Sequence, residues 1–188
     1  MDEKKLSIRN LSVSFLQGDS KVTAVDDVSF DMNNGKILGM IGESGCGKST
    51  LGLSIMNLLP EKTSSIDKGE IFFNGKDLSK LKENELQKIR GNNISMIFQE
   101  PMTSLNPLFK IGRQIGEPLK IHKNIKGQEL KDKVIELLKD VHIPNPEKIY
   151  NAYPHNLSGG MRQRVMIAMA LSCEPEIIIA DEIGRAHV

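Results

Sequence analysis

Apolar and polar positions alternate along residues 5–15 and again along 22–31, with Gln-Gly-Asp-Ser at 17–20 between them. Two antiparallel strands joined as a hairpin are therefore expected. Asn33, Asn34 and Gly35 turn the chain, and residues 36–41 (KILGMI) are an apolar run of the length of a buried strand. Residues 50–59 (TLGLSIMNLL) read as a helix that Pro60 stops. Residues 69–73 (GEIFF) and 93–98 (NISMIF) read as strands, Asn74-Gly75 as a tight turn, and 83–90 as a helix. From Ser104 to about Tyr153 the spacing is helical: Leu130, Val134, Leu137, Leu138 and Val141 recur on one face, and lysines and acids take the other. Pro144, Pro146 and Pro154 divide this region into short helices, so a separate lobe is expected. A last helix runs from 158 to about 172, and the apolar strand 176–180 (EIIIA) ends in Asp181 and Glu182. The pattern predicts an α/β fold with an antiparallel β start, a core sheet and an inserted helical lobe.

Candidate chemistry gathers where these elements meet. Residues 42–49 read GESGCGKS and match the G-x-x-x-x-G-K-[ST] phosphate loop in full, between an expected strand and an expected helix. Glycines let successive N–H groups point into one concavity at the positive end of the helix, where phosphate oxygens are held. Lys48 brings a full positive charge, and the Ser49 hydroxyl can ligate Mg²⁺. Gly42 and Gly47 could serve a turn alone, but the whole motif in this setting points to a nucleoside triphosphate. Gln99, just past a buried strand, can ligate a metal or is simply a polar strand end. Ser158 is a ready N-cap, and Gly159 and Gly160 serve an entry turn or leave a second bare helix start for an anion. Asp181 and Glu182 at a strand end are solvated acids or, beside a phosphate loop, suit Mg²⁺ and water handling.

Net charge is +1, from 25 basic against 24 acidic residues, which gives no electrostatic case for nucleic acid. The apolar run 165–173 is far short of the roughly 20 residues that span a bilayer, so membrane association would come through a partner. Cys46 and Cys173 have no metal-type spacing, and His122, His142, His155 and His187 are scattered. Cys46, inside the phosphate loop, is expected to react with maleimide and to be shielded by MgATP.

The phosphate loop, Gln99, the string LSGGMRQ at 157–163 and IIIADE at 177–182, in that order, resemble the ATP-binding subunits of ABC transporters, over residues 5–182. Residues 89–92 (IRGN), 95–107 (SMIFQEPMTSLNP) and Tyr153-Pro154-His155 narrow the resemblance to importers for dipeptides, oligopeptides and nickel, and there to the D-type subunit. The resemblance implies an ATPase that powers import, using ATP and Mg²⁺. It implies that Gly42, Glu43, Ser44, Gly45, Cys46, Gly47, Lys48, Ser49 and Thr50 hold the phosphates, and that Phe15 stacks on adenine. Ser49, Gln99 and Asp181 would attend Mg²⁺, Gln99 would sense the γ-phosphate, and Glu182 would orient and deprotonate the attacking water. Ser158, Gly159, Gly160 and Gln163 would contact the ATP held by a second ATP-binding subunit. Two transmembrane permease subunits, contacted near residues 99–107, are the further implied partners, with an extracytoplasmic substrate-binding protein acting indirectly. The place implied is peripheral, on the cytoplasmic face of the membrane. Competing readings are a soluble ABC ATPase of DNA repair or translation and a non-catalytic nucleotide-binding module. The spacing between Gln99 and Leu157 leaves no room for the long coiled coil of the repair enzymes.

The family pattern stops at Glu182. A proline turn, an Ala-Leu-Asp type loop, another strand and a switch histidine would follow, whereas residues 183–188 read IGRAHV, and His187 stands too close to Glu182 for that switch. The expectation is a partial ABC ATPase domain over 1–182, with its helical lobe at about 104–172. The tail 183–188 is expected to be non-native, since its reverse translation spells a sequencing adaptor. The absent strand would leave a gap in the middle of the sheet.

Overall fold

The alternating N-terminal residues form a long hairpin, β1 (Lys4–Gln17) paired antiparallel with β2 (Ser20–Asn33), with Gln17 opposite Ser20. Apolar positions on β1 move from even to odd numbers, Leu6 and Ile8 then Leu11 and Val13, and all four are buried. The phase change falls at a register shift between Ile8 and Leu11. There Asn10 takes a left-handed φ of 46°, its N–H bonds Ser29 Oγ at 2.7 Å and its amide bonds Asp27 at 3.1 Å. A bulge thus keeps the apolar side facing one way.

These observations come from a computed structural model that describes residues 4–18, 20–99 and 104–181. The chain divides into two compact units, Met1–Gln87 and Lys88–Val188. In the first, β3 (Ser64–Phe73) pairs with β1, and the short β4 (Lys76–Asp77) pairs with β3, giving an antiparallel sheet of order β2-β1-β3-β4. β3 begins five residues earlier than its apolar half suggests, because β1 supplies hydrogen-bond partners as far as Ser64. At Gly69, φ is +101° and a Cβ would lie 2.7 Å from the Arg9 carbonyl oxygen, so only glycine fits that crossing.

α1 (Lys48–Ile55) starts earlier and stops sooner than the expected 50–59. Asn57 ends it, not Pro60: its φ of 48° is left-handed, and the next residue, Leu58, donates back to the Leu53 carbonyl at 2.9 Å. The strand expected over 36–41 is absent; these residues carry no regular structure, and Ile37 and Ile41 are fully exposed. A strand persists through its ladder with a neighbour, and no described strand pairs with this segment.

The second unit contains α2's last residues (α2, Glu83–Ile89), β5 (Ile94–Ile97), α3 (Ile111–His122), α4 (Gly127–Asp140), α5 (Pro146–Tyr150), α6 (Gly159–Leu171) and β6 (Ile177–Ala180). Leu130, Val134, Leu137 and Leu138 of α4 are buried with Ile111, Ile115 and Leu119 of α3 and Val165 of α6, and Val141 is partly buried against them. The helical stripe read from sequence is thus the core of the lobe. β5 and β6 pair in parallel, Ile94 with Ile177 through Ile97 with Ala180. Met166 and Ala170 of α6 form a second cluster with Ile97, so α6 joins the lobe to the parallel strands.

Candidate nucleotide-binding site

The phosphate loop lies in the first unit. Gly47 has φ +93° and caps α1 in the left-handed region, where a Cβ would collide with the Ala24 carbonyl of β2. Glycine therefore brings the start of α1 tight against the hairpin and leaves the first-turn N–H groups without a side-chain cap. Lys48 folds over the loop: its Nζ donates to the carbonyls of Gly42 at 2.9 Å and Glu43 at 2.8 Å and lies 3.7 Å from Cys46 Sγ. The Cys46 N–H closes the turn onto the Glu43 carbonyl at 3.3 Å. No acid stands in the first turn of α1, so nothing there opposes an anion. Ser44, Gly45, Ser49 and Thr50 fill the rest of the loop and the first turn, and Cys46 is exposed.

Phe15 sits half-buried in the same unit. It follows Ser14, which pairs with Thr23, the residue before the Ala24 that Gly47 packs on. Phe15 itself pairs with Val22 in the hairpin. Asp67 ties that corner: it accepts from Lys21 at 2.6 Å, Ser14 at 2.5 Å and Ser65 at 2.7 Å. The Lys21 contact, then the two hydroxyls, hold its carboxyl down at about 2.

The second unit carries the other candidates. Because β5 and β6 run parallel, Gln99 and Asp181 emerge at the same, carboxyl end of neighbouring strands. The Asp181 N–H continues the ladder to the Ile97 carbonyl at 3.0 Å. Amide and carboxylate oxygens are hard donors of the kind that Mg²⁺ takes. Glu182 lies outside the described residues. At α6, Ser158 is the N-cap and accepts from the Met161 N–H at 3.3 Å. Ser158, Gly159 and Gly160 are exposed, Gln163 is half-buried, and the space where a Cβ of either glycine would stand is open. Two supports of this turn escaped the sequence reading. Arg162 Nε donates to the Pro154 carbonyl at 2.8 Å, and Asn156 accepts from the Tyr153 N–H at 3.0 Å. Arg162 stands inside the LSGGMRQ string, but a bond to a backbone carbonyl eight residues back leaves no trace in a sequence.

Known proteins resemble this chain in sequence and fold. The chain is 55% identical over 177 residues to the peptidoglycan transport ATP-binding protein YejF of Agrobacterium fabrum, covering 94% of this chain and 32% of that protein. It is 50% identical over 180 residues to the dipeptide transport ATP-binding protein DppD of Bacillus subtilis, covering 96% and 54%. It therefore spans from about a third to about half of the length of these curated relatives. Among solved structures, the ATP-binding cassette MJ0796, a dimer in a post-hydrolysis state bound to ADP and Pi, superposes with a TM-score of 0.83 at 30% identity, over 94% of this chain and 73% of that one. The likeness to peptide-transport ATP-binding proteins expected from the motifs is thus found in the relatives. The family pattern described as ABC transporter matches residues 25–184, well over half of the chain, from just ahead of the phosphate loop to just past Asp181. On that match this chain belongs to the ABC transporter family.

Proposed function

We propose that this chain is the ATP-binding and ATP-hydrolysing part of a subunit that powers import of peptides through a membrane permease. The observation that carries the reading is the phosphate loop: left-handed Gly47 leads directly into α1, with the Lys48 ammonium drawn over the loop carbonyls. When a triphosphate enters, Lys48 exchanges those carbonyls for β- and γ-phosphate oxygens, and the loop N–H groups take the rest. Phe15 stacks on the adenine. Mg²⁺, when bound, would neutralise negative charge on the phosphates. Ser49, Gln99 and Asp181 are the residues that would hold the ion, and Glu182 would take the proton of the attacking water.

The exposed start of α6 is read as the half-site for a nucleotide held by a second ATP-binding subunit, with Ser158, Gly159, Gly160 and Gln163 facing its γ-phosphate. The cap leaves the Ser158 hydroxyl hydrogen available to donate there while its oxygen accepts from Met161. Two nucleotides so shared favour the closed pair over the open one, and release of phosphate reverses the balance. No described helix is long and apolar enough to cross a membrane. In this reading, which rests on the likeness to transport ATP-binding proteins, the subunit works on the cytoplasmic face through two permease subunits, which a substrate-binding protein supplies from outside. Peptides are the cargo that the relatives' names favour.

Replacing Lys48 by Ala tests the reading. Hydrogen bonds to charged groups contribute about 1.5–3 kcal/mol each, so MgATP affinity should fall at least about tenfold, with loss of ATP-driven peptide uptake. Unchanged MgATP binding by titration calorimetry would remove the loop from the mechanism.

A further inference from the structure

Two bulges flank β1 where the hairpin meets the phosphate loop. On β2, Val25 pairs with Val13 and Thr23 with Ser14, so Ala24 is the extra residue, and its carbonyl is the one that Gly47 packs on. On β3, Lys68 pairs with Ser12 and Ile66 with Val13, so Asp67 is the extra residue there. A bulge bends its strand and re-aims the side chain it carries. At Asp67 that side chain is a carboxylate that holds all three strands: it accepts from Lys21 of β2 at 2.6 Å, from Ser14 of β1 and from Ser65 of its own β3 at 2.7 Å. Ser14 is 1% exposed, so its bond to the carboxylate is made away from water.

Each of these three partners is the chain neighbour of a residue in the next row. Lys21 precedes Val22, Ser14 precedes Phe15, and Ser65 follows Ser64, while Phe15 stands between Val22 and Ser64 in the two ladders. Val22 in turn lies two residues, about 7 Å of strand, from the Ala24 that receives the phosphate loop. A nucleotide held at both places needs ring and loop kept at one spacing, because the ribose between base and phosphates has a limited reach. Stacking is also sensitive to the offset of the two rings. We infer that Asp67 is a positioning residue for the nucleobase, which ties the three strands so that the Phe15 ring stays in register with the phosphate loop. This inference rests on the nucleotide reading above, in which Phe15 stacks on the adenine. Asp67 acts through Phe15 and not on the phosphates.

The test compares MgATP with magnesium tripolyphosphate, which offers phosphates without a base, by titration calorimetry on the full chain. Phe15→Ala should weaken MgATP at least about fivefold, the lower end of what stacking on one base contributes, and leave tripolyphosphate within about twofold. Asp67→Ala should show the same split, with MgATP weakened at least about threefold. In the Phe15→Ala background, Asp67→Ala should add nothing, because the two residues act as one. Unchanged MgATP affinity in Asp67→Ala, an equal loss for tripolyphosphate, or losses that add in the double variant would overturn the positioning role. Should Asp67→Ala fail to fold, Asp67→Asn and Lys21→Met, the latter at a side chain 53% exposed, carry the same comparison. MgATP binding untouched by Phe15→Ala would refute the stacking on which the inference rests. Binding of neither ligand by the unaltered chain would refute the nucleotide reading instead.

Discussion

At the scale of single residues, the phosphate loop is a set of close exchanges. Gly47 is fixed by the Ala24 carbonyl, and Lys48 by two carbonyls of its own loop. Cys46 lies among them, exposed and 3.7 Å from the Lys48 ammonium, whereas Cys173 is 1% exposed with its thiol pushed up by burial. The two thiols therefore form an internal control. Maleimide should modify Cys46 first, and MgATP at ten times its dissociation constant should slow that labelling by roughly tenfold through simple occupancy. Cys173 should stay unlabelled in both conditions. Equal labelling of Cys46 with and without MgATP would place the nucleotide elsewhere. Sequence made the loop plain because its motif is contiguous. It hid Arg162 and Asn156, since each acts on backbone atoms that other residues could have supplied.

The elements show the same division. The hairpin could be read to its bulge, because the apolar positions 6, 8, 11 and 13 carry the phase change themselves. The face of α4 was equally legible. The end of α1 was misplaced because a left-handed asparagine stops a helix as firmly as a proline does, with a weaker signature. The segment 36–41 was misread for another reason: apolarity shows that a strand could be buried, not which neighbour would pair with it. His122, at the last turn of α3, meets the turn after α2 through a backbone bond at Arg90. Burial first, then the charge of Lys123, lowers its pKa below the ordinary 6.5. With the folded value below the unfolded one, this histidine's contribution is complete above about pH 6.5 and is lost as pH falls through the folded value. Between pH 7.5 and 5.5 the denaturant midpoint should drop further in the unaltered protein than in His122→Gln. Equal drops would show that His122 is not the titrating group.

Across the whole chain, ordered pairing is uneven. Residues 94–97 are buried and laddered to 177–180, whereas 36–41 have no described partner strand. Hydrogen exchange should follow that contrast, with the amides of 36–41 exchanging near their intrinsic rates and those of 94–97 protected by at least about a hundredfold. Protection of 36–41 in a dilute monomer would mean that a partner strand exists after all. The exposed segment also sets how the isolated chain behaves in the tube. Lys-Ile-Leu-Gly-Met-Ile offers backbone outside any described strand ladder and bare isoleucines at residues 37 and 41, with one charge at its edge and no proline. Such a stretch is a template for intermolecular β-pairing. Concentrated samples should accordingly form thioflavin-positive aggregates, and a lysine in place of Ile41 should raise the concentration at which the chain stays clear.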